Sequence, residues 1–235
     1  MSTNWYFHLV WILGAAVLGF AVTAILAGKL RLRRNVFLVP YVGLAVVFVA
    51  GYARWSQLDL EDLVGRNWPW GLLGAAVLSV LLVKNVQSQP ASPRSTGAQL
   101  GFDVLWQGVA YGAVDAVLLS VLPVVAAWQA FSLLGWTTDW PGRLAVGGLA
   151  FVASLVVTFA YHWGYPEYRG PHVRSALVGN GMMTLGYLLT TNPIAALASH
   201  AAMHVAGVLH GPEKTAQLPP HYGERVVTMR NRIDG

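Results

Sequence analysis

The stretch Asn192–Gly211, NPIAALASHAAMHVAGVLHG, decides how this chain is read. It is apolar enough to cross a membrane, yet it holds His200, His204 and His210. His200 and His204 are four residues apart, so a helix places them one turn apart on the same face. Each ionisable side chain in the middle of a membrane helix costs about 3 kcal/mol unless it finds partners, which makes a functional site the default expectation.

Composition supports the membrane reading. The 235 residues are 55% hydrophobic and only 11% charged, with a mean hydropathy of +0.51. Soluble domains carry about 25% charged residues. An all-α, polytopic helical membrane protein is expected, in contact with the lipid bilayer. Its ten Trp and nine Tyr suit two interfacial aromatic belts. The absence of cysteine excludes disulfides, thiolate metal sites and cysteine nucleophiles. The net charge of +5 is read as marking the inner membrane face, and no nucleic-acid partner is expected. The first apolar stretch is too long for a cleavable signal and has no basic segment before it.

Working outward, spans are expected over Trp5–Ala27, Val36–Tyr52, Trp70–Val83, Leu100–Leu134, Arg143–Trp163, Ser175–Leu189 and the histidine helix. This gives about seven transmembrane helices. The run Leu100–Leu134 is longer than one crossing needs; it is one long helix kinked at Pro123 or a re-entrant pair. Taken alternately, the inner loops hold Lys29, Arg31, Arg33, Arg34, Lys84, Arg94, Arg169, Arg174, Lys214, Arg225, Arg230 and Arg232. The outer loops hold only Arg54, Arg66 and Arg143. That asymmetry sets the N-terminus outside and the C-terminus inside. The segment NVQSQPASPRSTGAQ reads as a flexible inner linker. The expected units are therefore an N-terminal three-span segment (1–84), the linker (85–99), a C-terminal four-span core with the polar site (100–211) and a polar inner tail (212–235).

Within the spans, the groups that can ionise are His8, Asp115, His162, His200 and His204, with Asp103 and His210 near the edges. His8, His172 and His221 are expected at the interface or in solvent. At 1.5 Å per residue, Asp115 lies roughly 20 Å along its helix from the inner side. His200 lies about 10 Å and His204 about 16 Å along theirs from the outer side. In a core about 30 Å thick these groups share a level, while His162 sits lower, nearer His204 or His210. Small residues around Asp115, in VAYGAVDAVLLSVLPVV, allow a close helix contact. Asn180 either donates a hydrogen bond into the site or serves packing. Three chemistries use such groups. A carboxylate beside an imidazole is a general base for water. Imidazoles with a carboxylate bind Zn²⁺ or a similar metal, with His200 and His204 as first candidates. Imidazoles also ligate haem or a pigment.

SALVGNGMMTLGYLLTTNPIAALASHAAMHVAGVL resembles the closing helices of the CPBP (Abi/Rce1-like) intramembrane protease family, in which the last helix carries His-x-x-x-Asn. His200 falls on that histidine, and His204 takes the place of the polar residue after it. VVTFAYH resembles the family's Phe-x-x-x-His motif and places His162 on its histidine, although Thr158 holds the Phe position and Phe159 is one residue late. The family's Glu-Glu-x-x-x-Arg motif has no match, and Asp115 in AVDAVLLS is the carboxylate at a suitable place. The resemblance covers the chain from about Leu100 onward. It implies a membrane peptidase in which a carboxylate and histidines activate water, with Asp115, His162, His200 and His204 as catalytic residues and a membrane protein or peptide as substrate.

A non-enzymatic subunit or scaffold of a larger membrane complex, binding a pigment or haem through histidine, is the alternative. A retinal protein needs a lysine midway along the last span, and none is there. A proton-coupled transporter would use the same Asp115 and His200, but the two halves show no repeat of the transporter kind. A prokaryotic plasma membrane is the expected location.

Overall fold

The computed structural model describes residues 4–212 and 217–220. Among the described residues there are helices and turns but no strands. Five helices are long and apolar enough to cross a membrane: α1 (Trp5–Lys29), α2 (Arg34–Ser56), α4 (Trp68–Gln87), α5 (Gly97–Leu133) and α6 (Trp140–Gly164). The short α3 (Leu60–Gly65) joins α2 to α4, and α7 (His172–Thr190) and the shorter apolar α8 (Ile194–His210) complete the bundle.

Many large apolar side chains face outward, and the buried core mixes alanines with Phe37, Leu118 and Leu119. Leu13, Val47 and Leu144 are exposed, whereas Ala15, Ala16, Ala45, Ala126, Ala127 and Ala196 are buried. This is the pattern for helices packed in lipid, where small residues let backbones approach.

The stretch Leu100–Leu134 resolves into one continuous helix, α5, with no re-entrant turn. It passes through Pro123, where the ring excludes the usual hydrogen bond to the carbonyl of Leu119. Two features absorb the disruption. The turn Val117–Val121 before the proline is π-helical. The Leu119 carbonyl accepts a hydrogen bond of 2.7 Å from Ser154 Oγ on α6.

The turn into α8 is fastened on three sides. Thr191 takes the left-handed conformation (φ 52°). Asn192 Oδ1 accepts from the Ile194 N–H at 2.9 Å, while Asn192 Nδ2 donates to the carbonyls of Val64 and Arg66 at 2.8 and 2.6 Å. Gly71 on α4 leaves the space that the Asn192 side chain fills. The start of the histidine helix is thereby fixed to the α3–α4 corner.

Residues 1–84 and 100–211 pack into a common core: α8 lies along α4 and α5, α1 against α6, and α2 against the middle of α5. Residues 88–96 form no regular structure, but they are held against the end of α8. The Ser92 N–H donates to the His210 carbonyl at 3.3 Å, and Arg94 Nη1 donates to the Leu209 carbonyl at 3.0 Å. His8 is buried rather than solvated, sharing a 3.0 Å hydrogen bond with the Tyr52 hydroxyl and lying edge-on to Trp55. His172 is exposed as expected, and His221 lies outside the described residues. The tail is not wholly solvated: Leu218 and Pro219 are buried, and most of the rest of 212–235 lies outside the described residues.

Candidate functional site

Asp115 sits midway along α5, and α8 brings His200 and His204 against it. The approach depends on two glycines of α5, four residues apart. A Cβ on Gly112 would lie 2.8 Å from Ala201 Cα and 3.0 Å from His204 Cδ2; one on Gly108 would lie 2.7 Å from Val205 Cγ2. Glycine spaced this way lets two helix backbones touch.

The contact leaves Asp115 Oδ2 at 4.0 Å from His200 Nε2 and 4.0 Å from His204 Nε2. The two imidazole rings are stacked, 4.9 Å apart and 7° from parallel. All three residues are buried. Among the described residues, His200 Nδ1 and both ring nitrogens of His204 have no hydrogen-bond partner. A buried polar atom without a partner costs about 1–3 kcal/mol, so such atoms point to something that binds there. A separation of 4.0 Å is too long for a direct hydrogen bond, but it suits an atom bonded to both sides. A water oxygen about 2.8 Å from each group fits. The three ligand atoms also lie within 4.8 Å of one another, and they would have to draw together to about 3.4 Å to hold a tetrahedral metal with bonds of about 2.1 Å.

Tyrosines form the other wall. The Tyr41 hydroxyl, from α2, donates a short hydrogen bond to Asp115 Oδ1. Tyr111 lies edge-on to His204 with ring centres 4.7 Å apart. The hydroxyls of Tyr111 and Tyr161 are 2.8 Å apart, and those of Tyr161 and Tyr165 are 3.0 Å apart. Just past α6, burial pushes the phenols of Tyr165 and Tyr168 above their ordinary range, so both remain neutral.

His162 lines the same cavity as Asp115, His200 and His204. Its Nδ1 donates to the Thr158 carbonyl at 2.8 Å, which leaves Nε2 as the nitrogen with a lone pair. Asn180 also lines the cavity, but its bonds run away from the centre. Its Nδ2 donates to Ser154 Oγ and Thr158 Oγ1 at 3.0 and 2.6 Å, and its Oδ1 accepts from Ser120 at 2.9 Å. It ties α5, α6 and α7 together at the turn before His162. Asn180→Leu is expected to destabilise the protein by about 3 kcal/mol, because three buried hydroxyls each lose one of their partners at once. Unfolding in mixed micelles checks this, and a loss below about 1 kcal/mol would contradict the network's structural role.

The site therefore unites the four predicted residues and adds Tyr41, Tyr111, Tyr161 and Tyr165. Tyr111 was legible in principle, lying one helical turn before Asp115, as were Tyr161 and Tyr165, one turn apart. Tyr41 comes from a distant helix and carries no local signal. It also means that the polar site is not confined to residues 100–211. No family model, curated protein or solved structure matches the chain. The cavity measures about 100 Å³, room for a few water molecules.

Proposed function

We propose that the chain is a seven-span integral membrane hydrolase of the CPBP-like kind, N-terminus outside and C-terminus inside, in a prokaryotic plasma membrane. The observation that carries this reading is the placement of one buried carboxylate oxygen 4.0 Å from two imidazole nitrogens that face it across a small cavity. In the proposed reaction a water held between Asp115 and the histidines attacks the carbonyl carbon of a peptide bond. Its proton passes to Asp115 Oδ2 and then to the leaving amine nitrogen as the C–N bond breaks. His200, His204 and His162 orient the water and, where they carry a proton, donate to the developing oxyanion. Tyr41 fixes the carboxylate so that Oδ2 faces the water. A single aspartate takes the place of the family's glutamate pair, and the paired imidazoles supply further polar contacts to the same water.

The test is turnover of a peptide reporter tethered at the inner membrane face, using purified protein in nanodiscs. His200→Ala is expected to lower the rate about 100-fold or more while the protein stays folded. Unchanged turnover would remove His200 from the machinery.

The three orphaned nitrogens favour a second reading, in which Asp115, His200 and His204 hold a divalent cation of the Zn²⁺ class. Elemental analysis distinguishes the two. The cation reading requires about one metal per wild-type chain and its loss in His200→Ala.

A further inference from the structure

The cavity over Asp115 is lined on one side by Gln217, Leu218 and Pro219, which belong to the chain's own tail. Composition gives a polar tail no reason to be there, yet Leu218 is only 3% exposed and belongs to the hydrophobic core. The local sequence suits the passage. Pro219 and Pro220 lack a backbone N–H, and a residue that precedes proline is held extended. A segment of this kind brings few donors into an apolar setting, so its carbonyls are the groups that need partners.

Arg34 supplies them. It opens α2, and its side chain is 5% exposed. Its Nε donates to the Pro219 carbonyl at 2.8 Å and its Nη2 to the Pro212 carbonyl at 2.9 Å. Among the described residues no carboxylate forms an ion pair with it. The guanidinium thus donates to two peptide carbonyls and, through Nη1 at 3.5 Å, to Gln107 Oε1 on α5. A second hold comes from Gln89 Nε2, which donates to Gln217 Oε1 at 3.1 Å.

We infer that Gln217–Pro219 is a resident peptide ligand of this centre, clasped by Arg34, which must leave before an external peptide segment reaches Asp115. The consequence for turnover rests on the hydrolase reading; the contact itself does not. An incoming extended peptide would present the same carbonyl acceptors to Arg34, so release of the strap and capture of a substrate compete for one guanidinium.

The chain has no cysteine, so a single Leu218→Cys substitution in the full-length protein gives one reporter thiol. Ser88→Cys, at an exposed position just past α4, is the control. In nanodiscs, maleimide is expected to modify the Leu218→Cys thiol at least about tenfold more slowly than the control. Adding Arg34→Gln should raise that rate about tenfold, since hydrogen bonds from a charged donor are lost. Gln89→Ala should raise it about threefold and leaves the buried guanidinium untouched, so it decides the matter if Arg34→Gln fails to fold. Equal labelling at the two positions, or no rise in any folded variant, overturns the inference. With Leu218 restored, Gln89→Ala, which keeps Arg34 available to substrate, should cleave the tethered reporter several-fold faster. Faster labelling with no cleavage by any form of the protein would keep the strap and remove the hydrolase.

Discussion

Asp115→Asn is expected to abolish hydrolysis of a membrane-tethered peptide, lowering the rate about 10³-fold or more, without lowering the melting temperature. The kinetic part follows from chemistry: an amide cannot take a proton from water, and removing a positioned base costs about 10²–10⁴-fold. The stability part follows from the setting. Asp115 is 2% exposed, and its nearest cationic candidates are two imidazoles at 4.0 Å. A buried carboxylate bears a desolvation cost of several kcal/mol that an amide avoids. The amide keeps the shape, its oxygen still accepts from Tyr41, and its nitrogen can donate toward a histidine. A stable but inactive variant is therefore the signature of a functional carboxylate. If Asp115 served only to hold α5 and α8 together, the substitution would leave turnover intact, and that result would sink the base assignment.

Gly112→Ala is expected to damage the contact between α5 and α8 on which the site depends. Its Cβ would stand 2.8 Å from Ala201 Cα, a backbone atom that cannot swing aside, and 3.0 Å from the ring of His204. The helices must separate or tilt, which costs about 1–3 kcal/mol. The same shift widens the gap between Asp115 Oδ2 and the two Nε2 atoms. Displacements near 1 Å cost roughly 100-fold in rate, so activity should fall further than stability. Gly148→Ala on α6 is the control, because a Cβ there meets nothing within 4 Å. It should be neutral or stabilising by up to about 1 kcal/mol, since alanine is the better helix former. Melting curves and reporter turnover on the two variants side by side check both claims. Equal behaviour would show that α5 and α8 do not depend on this contact.

How much of this was legible depends on the range of the signal. The helical, membrane-compatible character follows from composition and from apolar runs, which are local. His200 and His204 announce themselves because helical spacing is a rule of the backbone, and Asp115 because a carboxylate in an apolar run stands out. The long run Leu100–Leu134 was ambiguous for a physical reason. A proline signals a kink or a break, and only the partner shows that Ser154 satisfies the carbonyl that Pro123 frees. His8 is buried and not solvated, and position along a span says nothing about which face meets Tyr52 and Trp55.

The sequence by itself determined that this chain is built of apolar helices and that its last one carries two imidazoles on one face. Hydropathy and helical period are properties of single segments, so no neighbour is needed to read them. Tertiary structure alone decided what those imidazoles face. It set a single oxygen of Asp115 at 4.0 Å from both, brought Tyr41 from α2 to hold that carboxylate, and laid Leu218 and the Arg34 clasp over the cavity. These contacts join residues more than seventy positions apart in sequence. They depend on where glycines let backbones meet, and no local pattern encodes which two helices will do so.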